Sequence, residues 1–248
     1  MIVGMDLIIT VLKIIIILGF LILIHEAGHF WVARLCKIKV NEFSIGFGPV
    51  IWKKETKKTK YSLRLIPLGG FVSMLGEEER SSEEGSFSEA SIPKRIAVVA
   101  AGGLVNIIFA IILYIVLVAI VTGNLGTAVN GAGSFIMSMV ESVKLIFTGE
   151  VTVNDLMGPI GISEVVAQTS SIIDFLYIMA LISMSLGVTN LLPFPPLDGG
   201  KVLIYIIEAI RRKPLKENFE LKLQMVGFLL LMTLSIYVAF NDVGRIIS

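Results

Sequence analysis

Histidine, cysteine and charge are all scarce in this chain. Only two histidines and one cysteine occur in 248 residues. A lone Cys36 cannot form an internal disulfide, and it reads as a bystander. With no third histidine, any metal site built on the pair would need a carboxylate or Cys36 as its third protein ligand. Charged residues make up 17% and hydrophobic residues 55%. With a mean hydropathy of +0.86, that balance excludes an ordinary soluble domain. No basic region precedes the first apolar stretch, which is also too long for a cleaved signal peptide. Internal repeats are absent too, which argues against a transporter built from two matching halves.

Long apolar runs take the place of charge. Leu7 to Ile24 carries only Lys13, and Ile96–Thr122, Phe175–Pro193 and Leu223–Phe240 carry no charge. Eighteen helical residues rise about 27 Å, enough to cross a hydrocarbon core with some tilt. The expected fold is a polytopic α-helical membrane protein with about four transmembrane helices. The spans fall near 7–33, 96–122, 175–193 (continuing as a helix to 210) and 221–240. The net charge is only +1, but the basic residues are concentrated between spans one and two and between spans three and four. By the positive-inside rule, both loops are cytosolic and both termini extracytoplasmic. Topology also accounts for the lysines at 53–60, so no nucleic-acid partner is implied; the partners are the lipid bilayer and whatever enters it.

The two histidines, His25 and His29, flank Glu26 and lie four residues apart at the end of the first span. That spacing puts both imidazoles on one helix face. In the H-E-x-x-H pattern two histidines bind zinc and the glutamate activates water. The third ligand candidate is Asp198, in Asn190-Leu-Leu-Pro-Phe-Pro-Pro-Leu-Asp198-Gly-Gly200. A carboxylate within a membrane costs about 2.5–3.5 kcal/mol and normally has a partner. The prolines would break the helix and aim Asp198 sideways. The alternative role for Asp198 is a cap on a helix starting near Gly199. Arg34 lies about 7.5 Å of helix beyond His29, which puts the site inside the membrane near its cytosolic boundary. Glu26 would then accept the proton of zinc-bound water.

These residues resemble the site-2 protease family of intramembrane zinc metalloproteases, in particular the bacterial regulator of sigma-E protease branch. The resemblance rests on His25-Glu-Ala-Gly-His29-Phe30 and on Asn190 through Gly199. Supporting it, in family order, are Val40–Pro49, Ile66–Val72, Ala100–Asn106 and Gly158–Ile162. It implies Zn2+ as cofactor, His25, His29 and Asp198 as its ligands, Glu26 as general base, and Asn190 either contacting the substrate backbone or helping to hold the transition state. It also implies a bacterial inner-membrane enzyme cleaving within transmembrane segments of single-span proteins, such as anti-sigma factors or remnant signal peptides. Gly103 departs from the family, which usually has proline there, and this is expected to loosen the second span.

Alternation of Tyr61, Leu63 and Leu65 with Ser62, Arg64 and Ile66, punctuated by Gly46, Gly48, Gly69 and Gly70, predicts a β-rich segment over 40–74. The family suggests that this hairpin dips toward the active site and takes the substrate as a further strand; those four glycines are therefore substrate-binding candidates. Residues 77–91 read as a solvated loop. Members of the branch usually carry a PDZ domain between spans two and three, where this chain has only residues 123–133. That stretch reads as a flexible connector, followed over 134–147 by an amphipathic helix at the outer surface, with a short buried helix as the alternative. The expectation is a protease domain, residues 1–248, from which the PDZ module is missing, by excision or in a naturally compact homologue. Two other classes compete: a membrane cation transporter and a silent substrate-binding module. The intact Glu26 argues against the second.

Overall fold

In the computed structural model, residues 2–150 and 156–247 are described. The elements are α1 (Ile2–Leu35), β1 (Val40–Glu55), β2 (Lys60–Met74), α2 (Ile92–Thr122), α3 (Leu125–Thr148), α4 (Pro159–Ala167), α5 (Ile172–Asn190), α6 (Asp198–Arg211) and α7 (Glu217–Ile247). Four of these helices, α1, α2, α5 and α7, are long and apolar enough to cross a membrane, which agrees with the four runs read from sequence. The chain divides into two compact units. One comprises Ile15–Asn106 and Leu186–Met225, the other Met1–Ile14, Ile107–Ser185 and Val226–Ser248.

The first unit contains the sheet and a continuous core. β1 and β2 pair as a hairpin whose tight end is Thr56–Thr59, where Thr56 Oγ1 donates to Thr59 O at 2.7 Å. Both strands are bent, so the first half of β1 is flanked by both halves of β2: Ser44 aligns with Phe71 on one side and with Ser62 on the other. The bend in β1 needs Gly46, at φ 85°, because a Cβ there would lie 2.6 Å from Ile66 O. Phe30 of α1 holds the sheet edge-on, with ring centroids 5.3 Å from Phe43 and 6.1 Å from Tyr61. Such aromatic pairs add about 0.5–1.5 kcal/mol each beyond burial. Phe30, Ile38, Val40, Met74, Phe87, Val98, Ile204 and Tyr205 form the buried cluster that joins α1, the sheet, α2 and α6. The stretch 77–91, expected to be a solvated loop, is only partly so. Phe87 is 2% exposed and docks in that core, because an aromatic side chain among serines and glutamates is worth burying.

In the second unit, residues 123–133 are not a flexible connector. Only the turn at Gly123 interrupts the helices, and α3 begins at Leu125, where Asn124 accepts the Thr127 N–H in an N-cap. The small residues that suggested flexibility instead allow close packing. Ala128 and Ala132 are buried, and Tyr114 of α2 stacks on Phe135 with centroids 4.6 Å apart. The expected helix over 134–147 is the second half of α3. The short helix α4 has no counterpart in the sequence reading. Its amino end, Gly158 and Gly161, is capped by the buried carboxylate of Asp242 from α7.

Candidate metal centre

Glycine sets the distance between α1 and α2. At Gly28 a Cβ would lie 2.7 Å from Ala101 O, so the helices touch backbone to backbone one residue before His29. Val98 O on α2 then accepts from His29 Nδ1 at 2.8 Å. That bond puts the His29 proton on Nδ1 and leaves Nε2 with a lone pair, the arrangement metal-binding histidines use. Gly102, one turn further along α2, faces both imidazoles: a Cβ there would lie 2.4 Å from His29 Nε2 and 2.7 Å from His25 Nε2.

Asp198 reaches the same point from α6. The segment after α5 doubles back through Leu191–Leu197 and lies over the first turn of α6. A Cβ on Gly199 would be 2.2 Å from Leu191 O, and one on Gly200 2.8 Å from Phe194 O. The two glycines after Asp198 therefore let the proline-rich segment fold onto the helix that carries it. Asp198 is the first residue of α6, while Leu197 holds the cap position; the capping role does not describe it.

The three candidate ligand atoms converge. His25 Nε2 and His29 Nε2 are 3.2 Å apart, and Asp198 Oδ2 is 3.1 Å from the first and 3.4 Å from the second. Metal–ligand bonds of about 2.0–2.2 Å in a tetrahedron give ligand–ligand edges of about 3.3–3.6 Å. The triangle matches one face of that tetrahedron. Asp198 Oδ2 is buried yet aligned with no hydrogen-bond donor, and a lone pair left so in low dielectric is costly unless a cation meets it. The donor set, two nitrogens and a carboxylate oxygen, suits zinc.

A cavity of about 180 Å3 opens on this face, lined by His25, Glu26, His29, Asp198, Phe71 and Lys201 among others. The far half of β2 runs along it: a Cβ on Gly70 would lie 3.5 Å from Glu26 Cγ. That half pairs with β1 on one side only, and its other edge has no strand partner among the described residues. Gly46, Gly48 and Gly69, with φ of 85°, 82° and 127°, sit at the strand bends and do not line the cavity. Asn190 ends α5 and is not among the lining residues either. α2 runs unbroken through Gly103, whose missing side chain admits Leu191 and Gly187 O, which a Cβ would meet at 2.8 and 2.9 Å.

Four contributors escaped the sequence reading. Val98 acts through a backbone carbonyl and Gly102 through the absence of a side chain, neither of which leaves a chemical signature. Glu77 and Lys201 form an ion pair across the cavity wall, 3.0 Å between Lys201 Nζ and Glu77 Oε1. Lys201 follows Asp198 by one helical turn, and that spacing is the one signal that would have found it.

The pattern of Peptidase family M50 matches residues 13–234. A Clostridium acetobutylicum protein with a provisional zinc metalloprotease name is 28% identical, over 91% of this chain and 94% of its own. A Fusobacterium nucleatum protein with a similar name is 26% identical over 96% of this chain and its own full length. These alignments extend over 320 and 339 residues, more than this chain contains, so both relatives hold internal residues that it lacks. The regulator of sigma-E protease of Escherichia coli is 47% identical over 105 residues, 40% of this chain and 23% of that protein.

Proposed function

Since this chain belongs to peptidase family M50 and is a membrane zinc metalloendopeptidase of the site-2 protease type, we propose that it cuts peptide bonds within transmembrane segments of single-span substrates. Anti-sigma factors and remnant signal peptides are the candidate classes. The observation that carries this reading is the tetrahedral face formed by His25, His29 and Asp198 beside Glu26 and under an open strand edge.

In this reading His25, His29 and Asp198 hold the zinc, which when bound polarises the scissile carbonyl and makes water a stronger acid. Glu26 takes the proton of the attacking water and returns it to the leaving amide nitrogen. Val98 and Gly102 set the ring of His29 and the clearance around it. The far half of β2 offers its free edge to the substrate, which must unwind because a helix keeps its carbonyls in its own hydrogen bonds. Asn190 is assigned to the substrate backbone once that strand is in place. His29 lies about 9 Å of helix from the end of α1, which suits access of water from one face. The basic loops put that face in the cytosol of a bacterial inner membrane, with both termini outside.

The internal residues present in the relatives and absent here support the reading that a PDZ module is missing between α2 and α5. Without it the enzyme would discriminate less by the size of the substrate's outer domain. One reconstitution tests all of this: wild type and Glu26→Gln with a single-span substrate carrying either a long or a trimmed ectodomain. Wild type should cut both forms similarly. Glu26→Gln should keep its zinc and lose at least a hundredfold in rate, the usual worth of a general base. Equal cleavage by the two proteins would remove Glu26 from the chemistry, and strong preference for the trimmed substrate would remove the size argument.

A further inference from the structure

A second and larger cavity, about 710 Å3, lies outside the metal centre in the unit that contains the sheet. It is formed by the segment after β2, the start of α2 and the end of α6. Four cationic side chains line it, Arg80, Arg95, Arg212 and Lys213, against two carboxylates, Glu89 and Glu208. Glu208 is spent on scaffolding. Its side chain is 3% exposed, accepts from Arg95 Nη1 at 3.2 Å and from the Leu215 N–H at 2.7 Å, and lies 3.8 Å from Arg80. The Arg95 guanidinium is also fixed 4.8 Å over the Tyr205 ring. Arg80 is tied to Leu215 O at 2.8 Å and to Glu217 at 3.4 Å.

Arg212 and Lys213 differ from these. They are exposed and have no ion-pair partner among the described residues. Arg212 ends α6 in the left-handed region at φ 55°, where glycine is the unstrained residue; instead a cation stands at the rim. Ile92, the first residue of α2, lines the same cavity. Hydroxyls of Ser81 and Ser82 add small donors, while that of Ser88 donates to Ser81 O at 2.9 Å.

Depth indicates the source of the ligand. Ile92 begins α2 four residues before its uncharged run at Ile96, and Glu217, bonded to Arg80, begins α7 a few residues before its own at Leu223. The cavity is therefore level with the ends of two spans, where lipid head groups lie. Basic pockets between helices at that level are suited to anionic head groups, and a guanidinium fork without a carboxylate partner, as at Arg212, suits phosphate oxygens.

We propose that this cavity binds a phosphate-bearing anion, foremost the head group of an anionic phospholipid. Such a ligand would bridge the start of α2 and the far end of α6, the helix whose first residue is Asp198. The experiment uses the full chain with two probes: vesicles of phosphatidylcholine with or without phosphatidylglycerol, and inorganic phosphate added to protein in neutral detergent. Three proteins are compared: wild type, the double variant R212Q/K213Q, and K57Q/K58Q, which removes the same charge at the exposed hairpin turn. Wild type and K57Q/K58Q should bind alike, and R212Q/K213Q should bind about tenfold or more weaker, given the worth of a charge-assisted hydrogen bond. Ser82→Glu, an exposed change that places a carboxylate at the mouth, should weaken binding in the same direction. A response to phosphatidylglycerol alone identifies the lipid, and one shared by inorganic phosphate identifies a phosphate site open to soluble ligands. Equal binding by R212Q/K213Q and wild type, or equal loss in K57Q/K58Q, would overturn the proposal by reducing it to general surface charge.

Discussion

Replacing Gly102 with alanine would place a methyl carbon 2.4 Å from His29 Nε2 and 2.7 Å from His25 Nε2. Real Cβ contacts essentially never fall under 3.0 Å, so at least one ring must retreat by about 0.6 Å or more. Metal–ligand distances tolerate only about 0.2 Å. His29 cannot retreat freely, because its Nδ1 is held by Val98 O. The triangle of 3.1–3.4 Å edges therefore opens, and a ligand is lost or badly strained. Changing a residue that merely orients a ligand costs about 10–100-fold in metal affinity; direct intrusion should reach or exceed the upper figure. The assay is zinc content across a series of chelator buffers, with cleavage of a membrane-inserted substrate measured alongside. Gly133→Ala, whose new carbon would meet nothing within 4 Å, is the control for a helical glycine and should behave as wild type. If Gly102→Ala holds zinc as tightly as wild type and cleaves as fast, the inferred closeness of α2 to the metal centre is wrong.

Two further predictions concern stability. Asp242→Ala removes the acceptor for the Gly158 and Gly161 N–H groups at 3.3 and 2.9 Å and leaves both buried. It should cost about 1–3 kcal/mol, read as a lower melting temperature with zinc content unchanged; no shift would show that α4 is held otherwise. In the sheet, burial opposes ionisation of Glu42, but hydrogen bonds from Ser62, Arg64 and Lys60 overcome it and hold its carboxyl down at about 2. A depressed value means that its contribution is fully present above the ordinary 4.5 and disappears as pH falls toward 2. Glu42→Gln should therefore melt a few degrees below wild type at neutral pH, with the two curves converging on acidification. A constant gap would assign the effect to packing.

The spans were legible because bilayer thickness imposes a length and a composition that few other structures satisfy. The His25–Glu26–His29 turn was legible because helical periodicity fixes which residues share a face. Alternation and glycine punctuation gave the sheet its limits, and Val40 and Met74 are its first and last residues. The stretch from 125 to 133 misled because small residues have two opposite uses. In isolation they signal flexibility, whereas against a neighbouring helix their lack of bulk becomes the means of packing.

Sequence alone determined which residues could serve as ligands and base, because those roles need particular functional groups and such groups are rare in apolar spans. Only the tertiary structure decided that Asp198 meets the imidazoles of residues about 170 positions earlier. Local pattern carries no information on how a proline-rich turn will fold back over two glycines. It decided equally that Val98, Gly102, Glu77 and Lys201 belong to the site. Their contributions are a carbonyl, a gap and an ion pair, and each acquires meaning only from what the fold sets opposite it.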